Sequence, residues 1–285
     1  MSLTLDLVTL RVVVAVADSG SISAGSARIQ LALAAASARI ATLEDELGFR
    51  LFERSSRGVR VTPAGHLLVQ RARGLLSEAD RLGKDLRDLG AGLLGSVRLM
   101  ANASAMLEFL PQRLAAFSRA YPLIRLDLEE KSSPEIVASL LDGRADLGIV
   151  DLPHPLQGLH FEPLFFDSLV LVVSRDHPLA GRASVELGEL AEEAFIGLPD
   201  GTAVATRLAA AAAELGLALR MRIRMRSFDA ACRMIAAHLG VGVLPRQAIA
   251  PQLRVLPLTA IAITGPWAAR THHLVCREGV SLPGA

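Results

Sequence analysis

The strongest constraint in this sequence is a series of apolar residues spaced alternately four and three positions apart, downstream of Thr62 and Pro63. This leucine seam consists of Leu68, Ala72, Leu75, Ala79, Leu82, Leu86 and Leu89. A helix of about 27 residues at about 1.5 Å per residue is a rod of roughly 40 Å. Thr62 can cap its start, and Pro63 suits the first turn. We expect the seam to pair with a second copy of the chain; a helix packed along its own domain is the alternative.

Upstream of the seam, the sequence predicts three helices. The apolar stripe of the first comprises Leu3, Leu7, Leu10, Val14 and Ala17. Ser21 or Ser23 can cap a second helix that ends near Gln30. A third helix is expected from about Leu33 to Leu47, and Gly48 can end it. Its buried face is expected to hold Ala36, Ile40, Leu43 and Leu47.

A basic hairpin is expected after the third helix. Two short strands flank the turn "SSRG", and four arginines, Arg50, Arg54, Arg57 and Arg60, outnumber Glu53 there. Alone, such a cluster is typical of a solvated loop, and the net charge of +1 does not indicate a general polyanion binder. Three helices followed by a hairpin, however, is the order of a winged helix-turn-helix, whose third helix enters the major groove of DNA.

The segments "GSISAGSARI" and "ASARIATLEDELGFRLFERSSRGVRVTPAG" resemble the amino-terminal domain of LysR-type transcriptional regulators. The match is ungapped and includes "LEDELGFRLFER" and "TPAG". The resemblance implies a winged helix-turn-helix that binds double-stranded DNA. It also implies a linker helix that dimerises the DNA-binding domains, and a higher assembly, a tetramer.

The expected recognition helix departs from the family pattern at its start. The family commonly has Ser-Gln-Pro/Ser-Ala-Val-Ser where this chain has Ala32 and Leu33 followed by three alanines and Ser37. Ala32 cannot cap the helix with its side chain, and Leu33 cannot hydrogen-bond to a base. Weakened DNA binding is one explanation. We favour methyl contacts to thymine, polar contacts from Ser37 and Arg39, and phosphate contacts from the hairpin. The expected DNA-binding residues are Ser23, Leu33, Ala34, Ser37, Arg39, Arg54 and Arg57.

From Ser96 onward, strands alternate with helices, which predicts an α/β fold with largely parallel sheets. One helix is expected over about Met106–Ala120. The segments "FLPQRLAAFSRAYPLIRLDLEE", "DGRADLGIVD" and "IAAHLGVGVLP" resemble the effector-binding part of the same family, which is similar to type 2 periplasmic binding proteins. That resemblance implies two lobes around a cleft, with the chain crossing between them near His160–Phe165 and Thr259–Arg270.

The predicted fold class is therefore α/β, with a mostly α winged helix-turn-helix before a two-lobed α/β domain that resembles type 2 periplasmic binding proteins. The expected boundaries are 1–62 for the DNA-binding domain, 63–92 for the dimerising linker helix and hinge, and 93–285 for the effector-binding domain. Within the last, the first lobe is expected at about 96–161 and 268–285, and the second at about 166–260. Family members usually continue into a closing helix, so we expect part of the first lobe to be uncovered or the sequence to be truncated.

Small polar residues follow four predicted strands, in the loops that the family uses for its cleft. The expected effector-binding residues are Asn102, Ser104, Ser133, Thr202 and Ser227. Hydroxyl groups and free backbone N–H groups at such junctions suit a small carboxylate or similar anion, although each residue alone is also a common helix cap. Little fixed charge is expected there, except from Arg226, which lies next to Ser227.

Other chemistry is not expected. In "RMRIRMR" (220–226), the arginines share one face of a strand, which is typical of a solvated edge. His272 and His273 would point to opposite faces of a strand, so we expect no metal site and no cofactor. Cys232 should belong to the core rather than act as a sensing thiol, and two cysteines form no disulfide framework. No nucleophile with a base and an orienting group stands out.

These patterns together predict a DNA-binding transcriptional regulator, not an enzyme, that responds to a small-molecule effector. One alternative is a ligand-binding module of the same fold with weakened specific DNA readout, and another is an enzyme built on the two-lobed fold. No uncharged apolar run approaches the roughly 18–20 residues needed to span a membrane. The start lacks a basic leader and a cleavage site. We therefore expect a cytoplasmic homo-oligomer with no membrane partner.

Overall fold

The computed structural model describes residues 5–55, 58–90, 93–152 and 154–279, without the side chain of Arg54. The chain divides into two compact units. The first consists of Met1–Ser96 with Leu141–Arg144, and the second of Val97–Leu140 with Ala145–Ala285. Among the described helices, none is long and apolar enough to cross a membrane.

The first unit has the expected order of three helices, a hairpin and a long helix. Its elements are α1 (Leu7–Ser19), α2 (Ile22–Arg28), α3 (Leu33–Leu47), β1 (Phe52–Ser55), β2 (Gly58–Val61) and α4 (Pro63–Gly90). β1 and β2 pair antiparallel. Ser21, rather than Ser23, caps α2, and its hydroxyl accepts a hydrogen bond from the backbone N–H of Ala24. Thr62 accepts one from Gly65 at the start of α4, as predicted.

The buried face of α1 differs from the predicted stripe. Leu10 is buried as expected, but Leu7 is exposed and Leu3 lies outside the described residues. The helix instead buries Val12, Val13 and Val16. α1 contacts α2, α3 and α4, and a helix packed on several sides buries a wider face than a single apolar stripe.

The leucine seam of α4 is largely uncovered within one chain. Ala72 is buried, whereas Leu75, Leu82, Leu86 and Leu89 are each more than half exposed. The helix has 28 residues, which at about 1.5 Å per residue makes it about 42 Å long. An apolar row of this kind on a long helix is typical of a surface that pairs with another helix.

The second unit contains two lobes that share one long strand. The first lobe holds β3 (Gly95–Ala101), α5 (Ala103–Glu108), α6 (Leu110–Ala120), β4 (Ile124–Glu130), α7 (Ser133–Leu141) and β5 (Leu147–Val150). The long strand β6 (Leu159–Ser174) then enters the second lobe, which holds β7 (Ser184–Val185), β8 (Ala194–Gly197), α8 (Ala203–Glu214), β9 (Arg220–Arg224), α9 (Phe228–Ala236), β10 (Gly242–Pro245), α10 (Ala250–Val255) and β11 (Leu258–Ile263). The final strand, β12 (Ala269–Arg277), returns to the first lobe and pairs with β5 and β6.

The sheets are mixed, so the expectation of largely parallel sheets is wrong. Parallel pairing joins β3 to β5, β8 to β9 and β7 to β11. Antiparallel pairing joins β6 to β10, β11 and β12, and β12 to β5. The physical reason is that β6 runs through both lobes and that both β6 and β12 lie antiparallel to the strands paired with them.

The chain crosses between the lobes later in β6 than predicted. Residues through Ser168 pair with β12, and residues from Leu169 pair with β10 and β11, so the change lies beyond Phe165. Pro163 cannot donate a ladder hydrogen bond, and the register with β12 shifts beside it. The second crossing lies between β11 and β12, within the predicted range.

The single helix predicted over 106–120 is divided in two. α5 starts at Ala103 and is capped by Asn102, and α6 starts at Leu110. The break falls at Phe109 because Pro111 is tolerated only in the first turn of a helix.

The hydrophobic cores follow the lobes. The largest core lies in the second lobe and includes the fully buried β6 residues Leu171, Val172 and Val173. Cys232 on α9 is completely buried in it, and burial raises the pKa of its thiol to about 11. This agrees with the prediction of a core cysteine.

Candidate functional site

The expected recognition helix α3 has the predicted bounds and buried face. Ala36, Ile40 and Leu43 are buried, and Gly48 ends the helix with φ 75°. At its start Ala32 makes no side-chain cap hydrogen bond, as its chemistry requires. Leu33 and Ala34 are exposed and Ser37 is half-buried. The exposed side of the first half of this helix therefore consists mostly of methyl and methylene groups.

Arg39 is engaged within the first unit rather than extended from it. Its guanidinium Nη1 lies 2.9 Å from both Oδ2 of Asp6 and Oγ1 of Thr9. Asp6 caps α1, and its pKa is lowered by the Thr9 hydroxyl and backbone N–H, with Arg39 adding to the effect. Arg39 thus joins α3 to the start of α1, and a base contact would require this ion pair to open.

The hairpin packs against the turn between α1 and α2. The N–H of Val59 donates to the carbonyl of Gly20, and a Cβ on Gly58, at φ 122°, would come within 2.7 Å of that carbonyl oxygen. Glycine at position 58 is therefore required both by the close contact with the Gly20 carbonyl oxygen and by the positive φ angle. The Arg54 side chain and all of Arg57 lie outside the described residues, and Ser23 is exposed within α2.

Glu44 is a structural residue that the motif analysis missed. Its side chain is almost fully buried and accepts hydrogen bonds from Arg50 and from the backbone N–H groups of Leu51 and Phe52. Burial acts to raise the pKa of Glu44, but these donors outweigh it and hold the pKa below its usual range. Glu44 therefore holds the segment that connects α3 to the first strand of the hairpin.

The four predicted cleft loops converge on one cavity of about 450 Å³ in the second unit. From the first lobe it is lined by 102–104, 130–133 and 135, and from the second by 198–204, 226 and 228. Arg270 of β12 completes the wall. Four predicted residues, Asn102, Ser104, Ser133 and Thr202, line this cavity, as does Arg226. Ser227 is not among its lining residues.

Three of the predicted residues act as helix caps. Side-chain oxygens of Asn102, Thr202 and Ser227 accept the N–H three residues later in α5, α8 and α9, respectively. The Thr202 hydroxyl also donates to the Pro199 carbonyl, so it already acts both as a donor and as an acceptor within the protein. The amide nitrogen of Asn102 lies 3.3 Å from Nδ1 of His272.

Ser104 and Ser133 are arranged differently. The Ser104 oxygen accepts a hydrogen bond from Nη2 of Arg270 at 3.2 Å. The Ser133 oxygen accepts one from the backbone N–H of Asp151 at 3.1 Å. A hydroxyl whose oxygen accepts from the protein retains its hydrogen for another acceptor. These two buried hydroxyls therefore present donors to the cavity.

The expectation of little fixed charge is wrong. Lys131, Arg226 and Arg270 line the cavity, together with Glu130, Glu135 and Asp200. Lys131 lies 2.8 Å from Glu129 and Asp200 lies 3.5 Å from Arg224, so part of this charge is paired locally. The strand ends carry charged side chains beside the serines, and a pattern of small polar residues alone does not reveal them.

A buried charge cluster lies behind the cavity. Asp151, whose side chain is fully buried, accepts hydrogen bonds from Nε of Arg207 at 3.1 Å and from Nη1 of Arg270 at 3.5 Å. Arg270 also forms a close ion pair with Asp167. Since Arg207 belongs to α8 of the second lobe and Asp151 follows β5 of the first, this pair connects the lobes. No local sequence signal links these residues.

His272 is buried beside this cluster and is neutral. Burial and the Arg270 charge lower its pKa to about 3. Its ring stacks on Phe165 at 4.2 Å, which in turn stacks on Phe109. Among the described residues, no cluster of His, Cys, Asp and Glu has the arrangement to hold a metal ion.

Comparison with known proteins matches both units. The family model described as "Bacterial regulatory helix-turn-helix protein, lysR family" matches residues 7–66. The one described as "LysR substrate binding domain" matches residues 90–285. A curated relative, the "Hydrogen peroxide-inducible genes activator" of Dickeya chrysanthemi, is 30% identical over 249 residues, covering 87% of this chain and 81% of the relative.

Solved structures are similar over the full chain and over the second unit. A full-length OxyR variant from Pseudomonas aeruginosa is 25% identical and covers 96% of this chain and 89% of that chain, with a TM-score of 0.62. The regulatory domain of Synechocystis CcmR, in complex with 2-PG, is 26% identical, with a TM-score of 0.61. It covers 66% of this chain and 89% of that chain.

Proposed function

Because this chain belongs to the LysR family of transcriptional regulators, we propose that it binds DNA through α3 and the hairpin and is controlled by a small carboxylate or similar anion in the cleft. The CcmR domain with 2-PG shows that a relative of this fold takes a small ligand. Relatives are named as transcriptional regulators, which supports a regulator over the alternative of an enzyme on the two-lobed fold.

The observation that carries the effector class is the donor arrangement of Ser104 and Ser133. Both oxygens accept from the protein, so both hydroxyls offer a hydrogen to the cavity. Arg270, whose side chain is 1% exposed, also lines it, and its Nε has no hydrogen-bond partner among the described residues. Buried donors left without acceptors favour a ligand that accepts hydrogen bonds. An anion accepts more strongly than a neutral group does.

The effector class can be tested with a panel of small carboxylates and phosphate esters, scored by the rise in melting temperature and then by calorimetry. Ser104→Ala should weaken binding of the ligand found by about tenfold, or roughly 1–2 kcal/mol. DNA binding without the ligand should remain. Ser118→Ala, at an exposed site on α6, is the matched control. An effector that Ser104→Ala does not affect, or one bound outside the cavity, would contradict the assignment.

Peroxide sensing through a thiol is not favoured, although relatives include hydrogen peroxide-inducible activators. The chain has two cysteines, Cys232 and Cys276, and neither lines the cavity. Reaction with peroxide requires an accessible thiolate, whereas Cys232 is fully buried with a raised pKa.

For DNA, we propose that Leu33, Ala34 and Ser37 face the bases, because they lie on the outward side of α3. Ser23 and the hairpin arginines Arg54 and Arg57 are proposed to contact phosphates or sugars. Arg39 is the weakest member of the predicted set because of its ion pair with Asp6.

Arg54→Ala and Arg57→Ala should each weaken binding to all sequences about equally and reduce the slope of log affinity against log salt by about one unit. Arg175→Ala, in the second unit, is the control that should leave this slope unchanged. Unaltered slopes in both hairpin variants would exclude these phosphate contacts. Equal affinity of the unaltered chain for operator and random DNA would favour the alternative of a ligand-binding module with weakened specific readout.

We further propose that the chain dimerises through the leucine seam and assembles into a tetramer. The exposure of four seam leucines within one chain supports the dimer. Sedimentation of the full chain measures the assembly, and a monomer at micromolar concentration would contradict it.

A further inference from the structure

Glu108, the last residue of α5, carries a buried carboxyl group without a hydrogen-bond partner. Both carboxyl oxygens are buried, and neither makes a hydrogen bond to a described residue. The backbone N–H of Ala248 lies near the group without the geometry of a hydrogen bond. Burial and the neighbouring Asp167 charge raise the pKa of Glu108 to about 7, and Arg270 offsets part of that rise. Glu108 is therefore able to change its charge near neutral pH.

The charge balance of its surroundings depends on that proton. Arg207 on α8 and Arg270 on β12 carry two positive charges, which Asp151 after β5 and Asp167 on β6 balance. With Glu108 protonated, this set of five groups is neutral. With Glu108 ionised, it carries one net negative charge in a region of low dielectric constant, where charge is costly.

Arg270 connects this cluster to the effector cavity. It lines the cavity, donates to Ser104 and pairs with Asp151 and Asp167. An anion that accepts the Ser104 hydroxyl would lie about 3 Å from the serine oxygen, which is itself 3.2 Å from Nη2 of Arg270. Such an anion adds a negative charge within a few ångströms of the cluster, and a nearby like charge favours the neutral form of a carboxyl group.

We propose that the cavity binds its anion together with a proton, and that the carboxyl group of Glu108 receives this proton. The inference rests on the proposed anionic effector and adds a regulatory property to the same site. The proton comes from solvent, and neutral Glu108 compensates for the anion charge beside Arg270. Effector binding is thereby coupled to pH. The nearby imidazole of His272 does not compete for the proton because its pKa is lowered to about 3, and Asp151 and Asp167 are each paired with an arginine.

The test uses the full chain, with sulfate as the probe because sulfate does not change its protonation between pH 6 and 8. Calorimetry at pH 7 in buffers of different ionisation enthalpy gives the protons taken up per sulfate bound. If the pKa of Glu108 rises by about one unit, uptake should be roughly 0.4 proton, and binding should be about fivefold weaker at pH 8 than at pH 6. Glu108→Gln should abolish both effects. Glu214→Gln, which removes an exposed carboxyl group of α8, should retain them.

Two further outcomes separate this inference from the proposed function. Sulfate that binds wild type without proton uptake, or with uptake that Glu108→Gln retains, would overturn the inference and leave the anion cavity intact. A wild-type chain that binds no sulfate, and no carboxylate of the panel, would contradict the anion class and the inference together. In the ligand-free chain, carbon-13 labelling of glutamate should show one carboxyl group that titrates near pH 7 and is absent in Glu108→Gln. If Glu108 stays ionised from pH 6 to 8 in this measurement, the proton-uptake inference is also overturned.

Discussion

Replacing Asp151 with Asn should destabilise the effector-binding unit by about 3–5 kcal/mol, because it removes one partner from a buried ion-pair network. The Asp151 side chain is fully buried and serves Arg207 and Arg270 at once. Arg207→Met should cost less, because Asp151 keeps Arg270 and because 22% of the Arg207 side chain is exposed. In the Asp151→Asn variant, Arg207 has already lost its ion pair. The double variant, Asp151→Asn with Arg207→Met, should therefore be about as stable as Asp151→Asn alone.

The assay is urea unfolding followed by the fluorescence of Trp267. This is the single tryptophan of the chain, and it lies in the short turn before β12, so it reports on the second unit. The summed losses of unfolding free energy in the two single variants should exceed the loss in the double variant by about 2–3 kcal/mol. Arg233→Met, which breaks an exposed pair with Asp229 on one helix, should leave the midpoint nearly unchanged. Additive costs for Asp151→Asn and Arg207→Met would refute the view that the pair joins the lobes.

The remaining predictions concern the recognition helix, the seam and pH. Ala32→Ser gives α3 a side-chain cap and should stabilise a 1–92 fragment by about 0.5–2 kcal/mol. Thermal unfolding followed by circular dichroism measures this gain. If stability does not increase, the absence of a cap at Ala32 does not weaken α3. Leu75→Lys combined with Leu82→Lys should make the same fragment monomeric in sedimentation, since buried charges in the seam cost several kcal/mol, and a persistent dimer would exclude the seam. Glu108→Gln should stabilise the second unit by up to about 3 kcal/mol above pH 7, and the gain should vanish well below pH 4.5. The reason is that a folded pKa raised from 4.5 to about 7 penalises only the ionised form of Glu108. A gain that does not depend on pH would contradict this assignment.

The structure agrees best with the sequence analysis where the pattern is local. The third helix was predicted over 33–47 and is found there, with Gly48 as its end. Helical periodicity, a glycine stop and the absence of a cap at Ala32 all lie within one short segment. The four cleft loops were also anticipated, but from the resemblance to the effector-binding part of the LysR family rather than from a local pattern.

The prediction failed where packing partners decide the outcome. α1 has apolar residues on more than one face, and its contacts with three other helices determined that Val12, Val13 and Val16 are buried. The crossing in β6 shifted to Ser168 because partner strands, rather than the residues of β6, define where a lobe begins.

By itself, the sequence determined the order of elements, the winged helix-turn-helix and the long seam helix, because each depends on residues that are close in the chain. Only the tertiary structure decided which charges surround the cavity. Asp151 lies 56 residues before Arg207 and 119 before Arg270, and Glu108 joins them from another helix. Such a cluster has no period or spacing in the sequence, since its members come together only when the two lobes pack around the shared strand β6. Its charge balance, and with it the pKa of Glu108, is therefore a property of the folded chain.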